Sequence, residues 1–531
     1  MSARATFADY RFEASERPLF PGSPYSPVHH PLRRVAYVAV ALLVGIAATL
    51  GNALVTVNLA SVAGTMGITV SDATWLSSIY VAVNASANLL LVRARVQFGI
   101  PRVTHFLLVA YALTTIIQLA QPSFATALLV RAASGAAGTA LTTVVIYNLL
   151  QVFPLKVRPL AILLGISITT FGVPLARLFP IALLTVGEWQ GLHLVELALT
   201  FGAIAALWAV PLPPSDRSPA FERLDFVTVA LVLPGMLLFC GALGAGRFLW
   251  WTDTEWLGWA LAGATALFGM AILIERNRAR PLLLIGWIGS VDILRFAAVA
   301  LLVRFALAEQ MYGAIGLLSA GGLGNDQLHP LFLIVSLAML LGTVVAALTL
   351  GMKSPPWQVL VAALAISLGA WLDSGATNLT RPAQLYVSQA LLGFGACLFI
   401  GPALLYGFVR VLQLGPNYLV SYLVVFGISQ NVGGLLGSAA LGTYQVARTR
   451  EHAAALSEHL VSSDPQVSAR LAQQGAGGLY AALQREAAVL AFNDVFQLVA
   501  MLALATASFI FIMILWVRFR ERRQAAQEAS A

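Results

Sequence analysis

The sequence predicts an all-α integral membrane protein of about fourteen transmembrane helices, with both ends in the cytoplasm. Three observations carry this. Of 531 residues, 59% are hydrophobic and only 10% charged, whereas a soluble domain carries about 25% charged residues to cover its water-facing surface. The apolar residues fall into runs long enough for a helix, rising about 1.5 Å per residue, to cross a hydrocarbon core of about 30 Å. The basic residues collect in every second gap between those runs.

Residues 1–33 come first, polar and proline-rich, with no apolar core behind a basic start. They read as a flexible cytoplasmic tail rather than a cleaved signal peptide. Six apolar runs follow, near 35–60, 74–92, 104–121, 124–149, 159–183 and 190–212. Two more lie near 226–246 and 256–274, and a last group near 292–319, 328–351, 357–372, 384–409, 418–445 and 489–517. The runs group as six, two and six. That gives an N-terminal bundle over 34–214, a two-helix insert over 215–285 and a C-terminal bundle over 286–531.

Orientation follows from the Lys/Arg bias of short loops. On one side lie Arg33 and Arg34 of the tail, then Arg93, Arg95 and Arg102, then Lys156 and Arg158. Arg217, Arg223, Arg276, Arg278, Arg280, Lys353 and Arg410 continue the series, which ends with Arg518, Arg520, Arg522 and Arg523. Short gaps on the other side hold only Arg247 and Arg381. The alternation puts both termini inside. The exception to short outer connections is 446–488, where REHAAALSEHL and AGGLYAALQREAA have the pattern of two amphipathic helical pieces. This segment is either a solvated cap or a docking surface for a partner.

The net charge is +8, but its Lys and Arg are scattered in short gaps rather than gathered on a solvated face, which excludes a nucleic-acid partner. Cys240 and Cys397 both fall inside apolar runs, so no disulfide framework or thiolate metal site is expected, and no cofactor. No glycine-rich phosphate loop is present to supply ATP drive. Of the seven His, only His105 and His193 lie away from tails, edges and loops. A membrane-embedded enzyme would need clustered His, Asp or Glu at ligand spacing inside the helices, and none is visible.

Several strings in order along the chain carry a resemblance. SVAGTMGITVSDATWLSSIYVAVNA leads into the second helix with Trp75 and Asn84, and LLVRAASGAAGTAL opens the fourth with Arg131, Gly135 and Gly138. FPLKVRPLAI follows with Arg158, and GPALLYGFVRVLQLGPNYLVSYLVVFGISQNVGGLLGSA covers the twelfth and thirteenth helices. From about Leu50 to Trp516 the chain resembles the major facilitator superfamily, in its fourteen-span drug:proton antiporter branch of the EmrB/QacA type. The resemblance implies a secondary active exporter of drugs or toxic small organic molecules, driven by proton antiport across the bacterial inner membrane. It also implies a periplasmic adaptor protein and an outer-membrane channel as partners. The chain departs from the branch at its coupling motifs. Gly51, beside Asn52, stands where the first-helix Asp is usual; VRARVQFGIPR has Val92, Val96 and Gln97 where Gly, Asp and Arg are usual; GVPLARLFPI keeps Gly172 but has Arg177 where a proline is usual. An uncoupled facilitator or sensor on the same scaffold, and an exporter of an organic anion, are the alternatives.

Ionisable side chains in a membrane helix are costly and are functional-site candidates by default. Arg131 lies about eight residues, roughly 12 Å, from the outer end of its helix. Arg177 and Glu196 fall at a similar depth, so the three are expected to form one layer in the outer half of the first bundle. Three roles are open for it: a static ion pair, a proton or cation site on Glu196 tuned by Arg131, or an anion site on the two arginines gated by Glu196. Arg304, near the midplane of the ninth run, and Glu309, five positions on and about 140° around the helix, cannot face each other, so each is expected to find a partner on another helix. Asn52 and Asn84 join them as candidates for the substrate and proton pathway.

Overall fold

The computed structural model describes residues 12–13, 16–18, 21–351, 354–461 and 463–530. Lys353, counted above among the tail-side charges, lies outside them. No strand occurs among the described residues, so the all-α expectation holds. The chain divides into two compact units, Met1–Ala297 with Leu404–Val432, and Ala298–Ala403 with Gly433–Ala531.

The first unit begins with α1 (Pro31–Val57), α2 (Leu59–Met66), α3 (Val70–Phe98), α4 (Ile100–Ala120) and α5 (Phe124–Leu150). Next come α6 (Pro159–Thr170), α7 (Gly172–Arg177), α8 (Ile181–Leu184) and α9 (Val186–Ala209), then α10 (Arg223–Leu249), α11 (Glu255–Arg276) and α12 (Ile285–Ile288). The local sequence explains where these start. Proline, whose fixed φ suits a first helical turn, opens α1, α4 and α6. Thr69 Oγ1 accepts from Asp72 N to cap α3, and Ser123 and Thr126 form a reciprocal capping box on α5. Gly67, at φ 65°, takes the left-handed conformation that closes α2.

Close approach governs the packing of this unit. A Cβ on Gly135 would lie 2.7 Å from Tyr80 O, and one on Gly138 would lie 3.0 Å from Ala48 O. Small residues thus seat α5 against α3 and α1, as in close membrane-helix contacts. The indole of Trp75 packs on Gly241 of α10 and stacks on Trp256 of α11 at 6.2 Å. Ser78 Oγ donates to Cys240 O across the same contact, at 2.9 Å.

The second unit draws on α13 (Val291–Ala306), α14 (Ile315–Ala320), α15 (His329–Leu348), α16 (Pro355–Asp373), α17 (Tyr386–Leu414), α18 (Pro416–Glu458) and α19 (Pro465–Ser530). Thirteen helices among the described residues are long and apolar enough to cross a membrane. The remaining expected span, near 292–319, is interrupted: α13 ends at Ala306, a π-helical turn covers Gln310–Ala314, and α14 resumes at Ile315. Widening to i→i+5 bonding re-aims side chains at one turn, and such turns recur at functional sites.

One expectation is corrected. The tail is not loose over its last stretch. Tyr25 N donates to Pro214 O at 2.9 Å and Tyr25 Oη to Asp216 Oδ1 at 2.9 Å. Gln151 Nε2 donates to Tyr25 O at 3.1 Å and Arg158 Nη2 to Ser26 O at 3.3 Å, while His29 is buried against Gln151 at 2.9 Å. A polar composition suggested disorder, but loop side chains satisfy the tail's backbone instead. The segment 446–488 is helical in two pieces, as its pattern suggests. It consists of the continuations of α18 and α19 themselves, broken between Glu458 and Pro465 and again at Gly475, where φ is 70°.

Candidate functional site

The first unit holds a cavity of about 290 Å³ at the end opposite the docked tail. Its walls come from α1, α2, α3, the end of α4, the start of α5 and the turn entering α9. Val55, Leu76, Ala127, Leu192 and Trp189 make it largely apolar, and Gln118, Ser123, Gln190 and His193 supply polar groups. The entry to α9 is strained: Glu188 and Trp189, both lining the cavity, have φ of 57° and 71°. Non-glycine residues pay about 1–3 kcal/mol for such backbone and cluster at functional sites.

Arg131 forms the cavity floor, 1% exposed. Its Nη2 donates to Oε1 of Glu196, and the two form a fully buried ion pair. The second carboxylate oxygen, Oε2, meets His193 Nδ1 at 3.0 Å. Helical geometry explains the pairing, because residues three apart on α9 share a face and bring imidazole and carboxylate together without help from another element. Arg131 Nη1 has no hydrogen-bond partner among the described residues. The carboxylate, guanidinium and imidazole therefore form one compact hydrogen-bonded set beside the cavity.

Gly51 adjoins this set. A Cβ there would stand 3.0 Å from Glu196 Oε1 and 2.7 Å from Tyr111 Oη. The carboxylate supplied by α9 thus sits against the bare backbone of α1. Gly172 also allows close contact, since a Cβ on it would lie 2.5 Å from Thr49 Oγ1.

The expected layer of three charges is only partly assembled. Arg131 and Glu196 meet, but Arg177 takes no share in Glu196, whose ion-pair partners are Arg131 and His193. Arg177 is buried at the C-terminal turn of α7, where a cation suits the helix dipole. Asn84 Nδ2 donates to Gly135 O at 3.0 Å, and its Oδ1 accepts from Asn431 Nδ2 at 2.9 Å. Asn52 O accepts from Thr56 at 2.9 Å, and Asn52 Oδ1 is buried with no partner among the described residues.

In the second unit, Arg304 lies along α18, where a Cβ on Gly434 would be 2.8 Å from its Nη2. Glu309 turns elsewhere, as expected. It is fully buried and accepts from Gln389 Nε2 at 3.2 and 3.4 Å. The same Nε2 donates to Asp373 Oδ2 at 2.7 Å. One amide therefore bridges two buried carboxylates from either side of the π-helical turn's neighbourhood, and Gln310 Nε2 donates to Gln389 O at 3.3 Å.

Sequence reasoning missed His193 and Asp373. The i, i+3 spacing of His193 and Glu196 was the available signal for the first. Asp373 ends α16, so in sequence it looks like a polar boundary residue rather than a buried one.

No family model matches the sequence, and no curated protein does either. Solved structures do match in fold. The human organic anion transporter MFSD10 (TETRAN) superposes with a TM-score of 0.54 at 14% identity, over 90% of this chain and 100% of that one. A bacterial homolog of the human lysosomal transporter Spinster, inward-facing and unoccupied, gives 0.51 at 15% identity over 92% and 98% of the two chains. The proton:xylose symporter XylE, a major facilitator superfamily protein, gives 0.51 at 14% identity over 92% and 97%. The chain has the major facilitator fold.

Proposed function

We propose that this chain is a proton-coupled secondary transporter that exports small organic molecules, on the pattern of the fourteen-span drug:proton antiporters, and that Glu196 is the carboxylate that takes up and releases the proton. One observation carries the reading: Glu196 is buried in a spanning helix with both oxygens engaged, one by Arg131 and one by His193, beneath an open cavity. Buried ionisable groups in membrane helices mark ion and substrate pathways. Protonating Glu196 strips Arg131 of its buried counter-charge, and breaking such a pair costs about 3–5 kcal/mol. That is enough to bias a conformational equilibrium, which moves only by a differential interaction with its two states.

The carboxylates Glu309 and Asp373, bridged by the Gln389 amide, are a second acidic site in the other unit. Asn52, Asn84, Arg177 and Arg304 are assigned to the substrate pathway. We place the protein in a bacterial inner membrane with both termini cytoplasmic, and assign the helical continuations over 446–488 to contact with a periplasmic adaptor leading to an outer-membrane channel. A second reading, export of an organic anion, is favoured by Arg131 Nη1, a buried donor left without a partner at the cavity floor.

Ethidium flux in reconstituted liposomes tests the main reading. An imposed pH gradient is expected to drive it, and a protonophore or Glu196→Gln to abolish the drive. Flux indifferent to both would overturn proton coupling.

A further inference from the structure

We infer that His193 is the relay through which protons pass between the cavity and Glu196. The inference rests on the assignment of proton uptake to Glu196 and adds its route. The Glu196 side chain has no exposed surface, and it does not line the cavity. The His193 side chain, one turn earlier on α9, is 13% exposed and does line it. Water therefore reaches the imidazole but stops short of the carboxylate. The cavity, at about 290 Å³, has room for several waters, each occupying about 30 Å³ in the liquid.

The other groups around Glu196 cannot substitute. Arg131 touches both the cavity and Glu196, but a guanidinium does not release its proton in proteins. Tyr111, on α4, stands behind the carboxylate and is not part of the cavity lining. Gln118 from the end of α4 and Glu188 from the turn before α9 face the cavity without a hydrogen bond to Glu196. Imidazole is the one side chain here whose ordinary titration range lets it accept and donate near neutrality.

The geometry gives the step its direction. With Nδ1 carrying its hydrogen toward Glu196 Oε2 at 3.0 Å, Nε2 is the atom left for cavity water. A proton arriving on Nε2 makes an imidazolium, and the Nδ1 proton then passes to Oε2. One proton has entered, one O–H bond has formed on Glu196, and His193 is neutral again with its hydrogen on Nε2. Release runs the same path backwards. The strained turn at Glu188 and Trp189 sets the phase of the first turn of α9, and so fixes the face on which His193 stands.

A pH jump on the purified full-length protein in detergent, followed by stopped flow with the dye pyranine, tests this. Wild type should show a proton-uptake component that Glu196→Gln lacks. His193→Ala should slow that component by about 10²-fold or more, the range for loss of a positioned proton-transfer group, and added imidazole should restore it. His193→Asn, which keeps a donor toward Oε2, should melt like wild type yet remain slow. If His193→Asn takes up the proton at the wild-type rate, His193 is only a structural partner and the relay is overturned. If Glu196→Gln lacks no component, the assignment of Glu196 fails and the relay falls with it.

Discussion

Glu196 and Tyr111 together occupy the space that a side chain at position 51 would need: Glu196 Oε1 lies 3.0 Å, and Tyr111 Oη 2.7 Å, from the Cβ that any residue but glycine would place there. The bare backbone at Gly51 on α1 and the buried acid on α9 are therefore one packing feature. The carboxylate enters the same locality from a different helix, and glycine on α1 makes the room. Gly51→Ala should destabilise the detergent-purified protein by about 1–3 kcal/mol through overpacking. The loss should shrink in a Glu196→Asp background, where the shorter side chain withdraws. Additive losses in a double-mutant cycle would show that the two positions do not compete for space.

Gln389 is expected to matter more than either acid it serves. Gln389→Leu leaves Glu309 and Asp373 buried with their shared donor gone, at a cost of about 1–3 kcal/mol or more because the groups can carry charge. Asp373→Asn removes one of the two acids and keeps a hydrogen-bonding side chain, so it should cost less. Unfolding midpoints of the two variants provide the comparison.

Arg278 ties together Glu222 at 2.9 Å, Asp225, and Glu275 at 3.0 Å. Burial works against its charge, but the hydrogen bonds it donates to Glu222 and Asp225 outweigh that and raise its pKa above the ordinary arginine value. Arg278→Met should cost about 3–5 kcal/mol, the range for stranding buried partners. The loss should appear as earlier thermal unfolding and faster proteolysis between α11 and α12.

Tail docking should depend on pH through His29. Burial is the main cause that pushes its pKa below the ordinary value, with Arg33 and Arg34 acting the same way against the hydrogen bond that His29 Nε2 donates to Gln151 Oε1. The undocked form therefore takes a proton first as pH falls. Docking is fully stable above the ordinary histidine value of about 6.5 and weakens below it. Hydrogen exchange at 21–30 should rise on acidification in wild type and lose that dependence in His29→Gln.

The sequence made the spans legible because hydropathy and loop charge are one-dimensional signals that survive without knowledge of contacts. The depth of Arg131, Arg177 and Glu196 was legible for the same reason, but depth left open which arginine meets the carboxylate. Rotation about the helix axis was not legible. Arg177 lies beyond the break between α6 and α7 at Phe171, which resets the phase that simple counting assumes. Arg304 and Glu309 could be separated by angle alone, but the π-helical turn that brings Glu309 to Gln389 and Asp373 leaves no mark on hydropathy. The tail was misjudged because its partners, Gln151 and Arg158, lie more than a hundred residues away and bond its backbone, which composition does not reveal.

The pair α10 and α11 is fastened to α3 along its length. Arg93 reaches Asp225 at 3.7 Å toward one end, and toward the other Ser78 holds Cys240 O while Trp75 clasps Gly241 and Trp256. These two spans therefore act as ballast rather than as a joint. A fluorophore or spin label on the exposed face of α11, at Trp259 for instance, would travel with the first unit as a passenger. It offers a handle for tracking that unit's motion without touching a residue of the cavity.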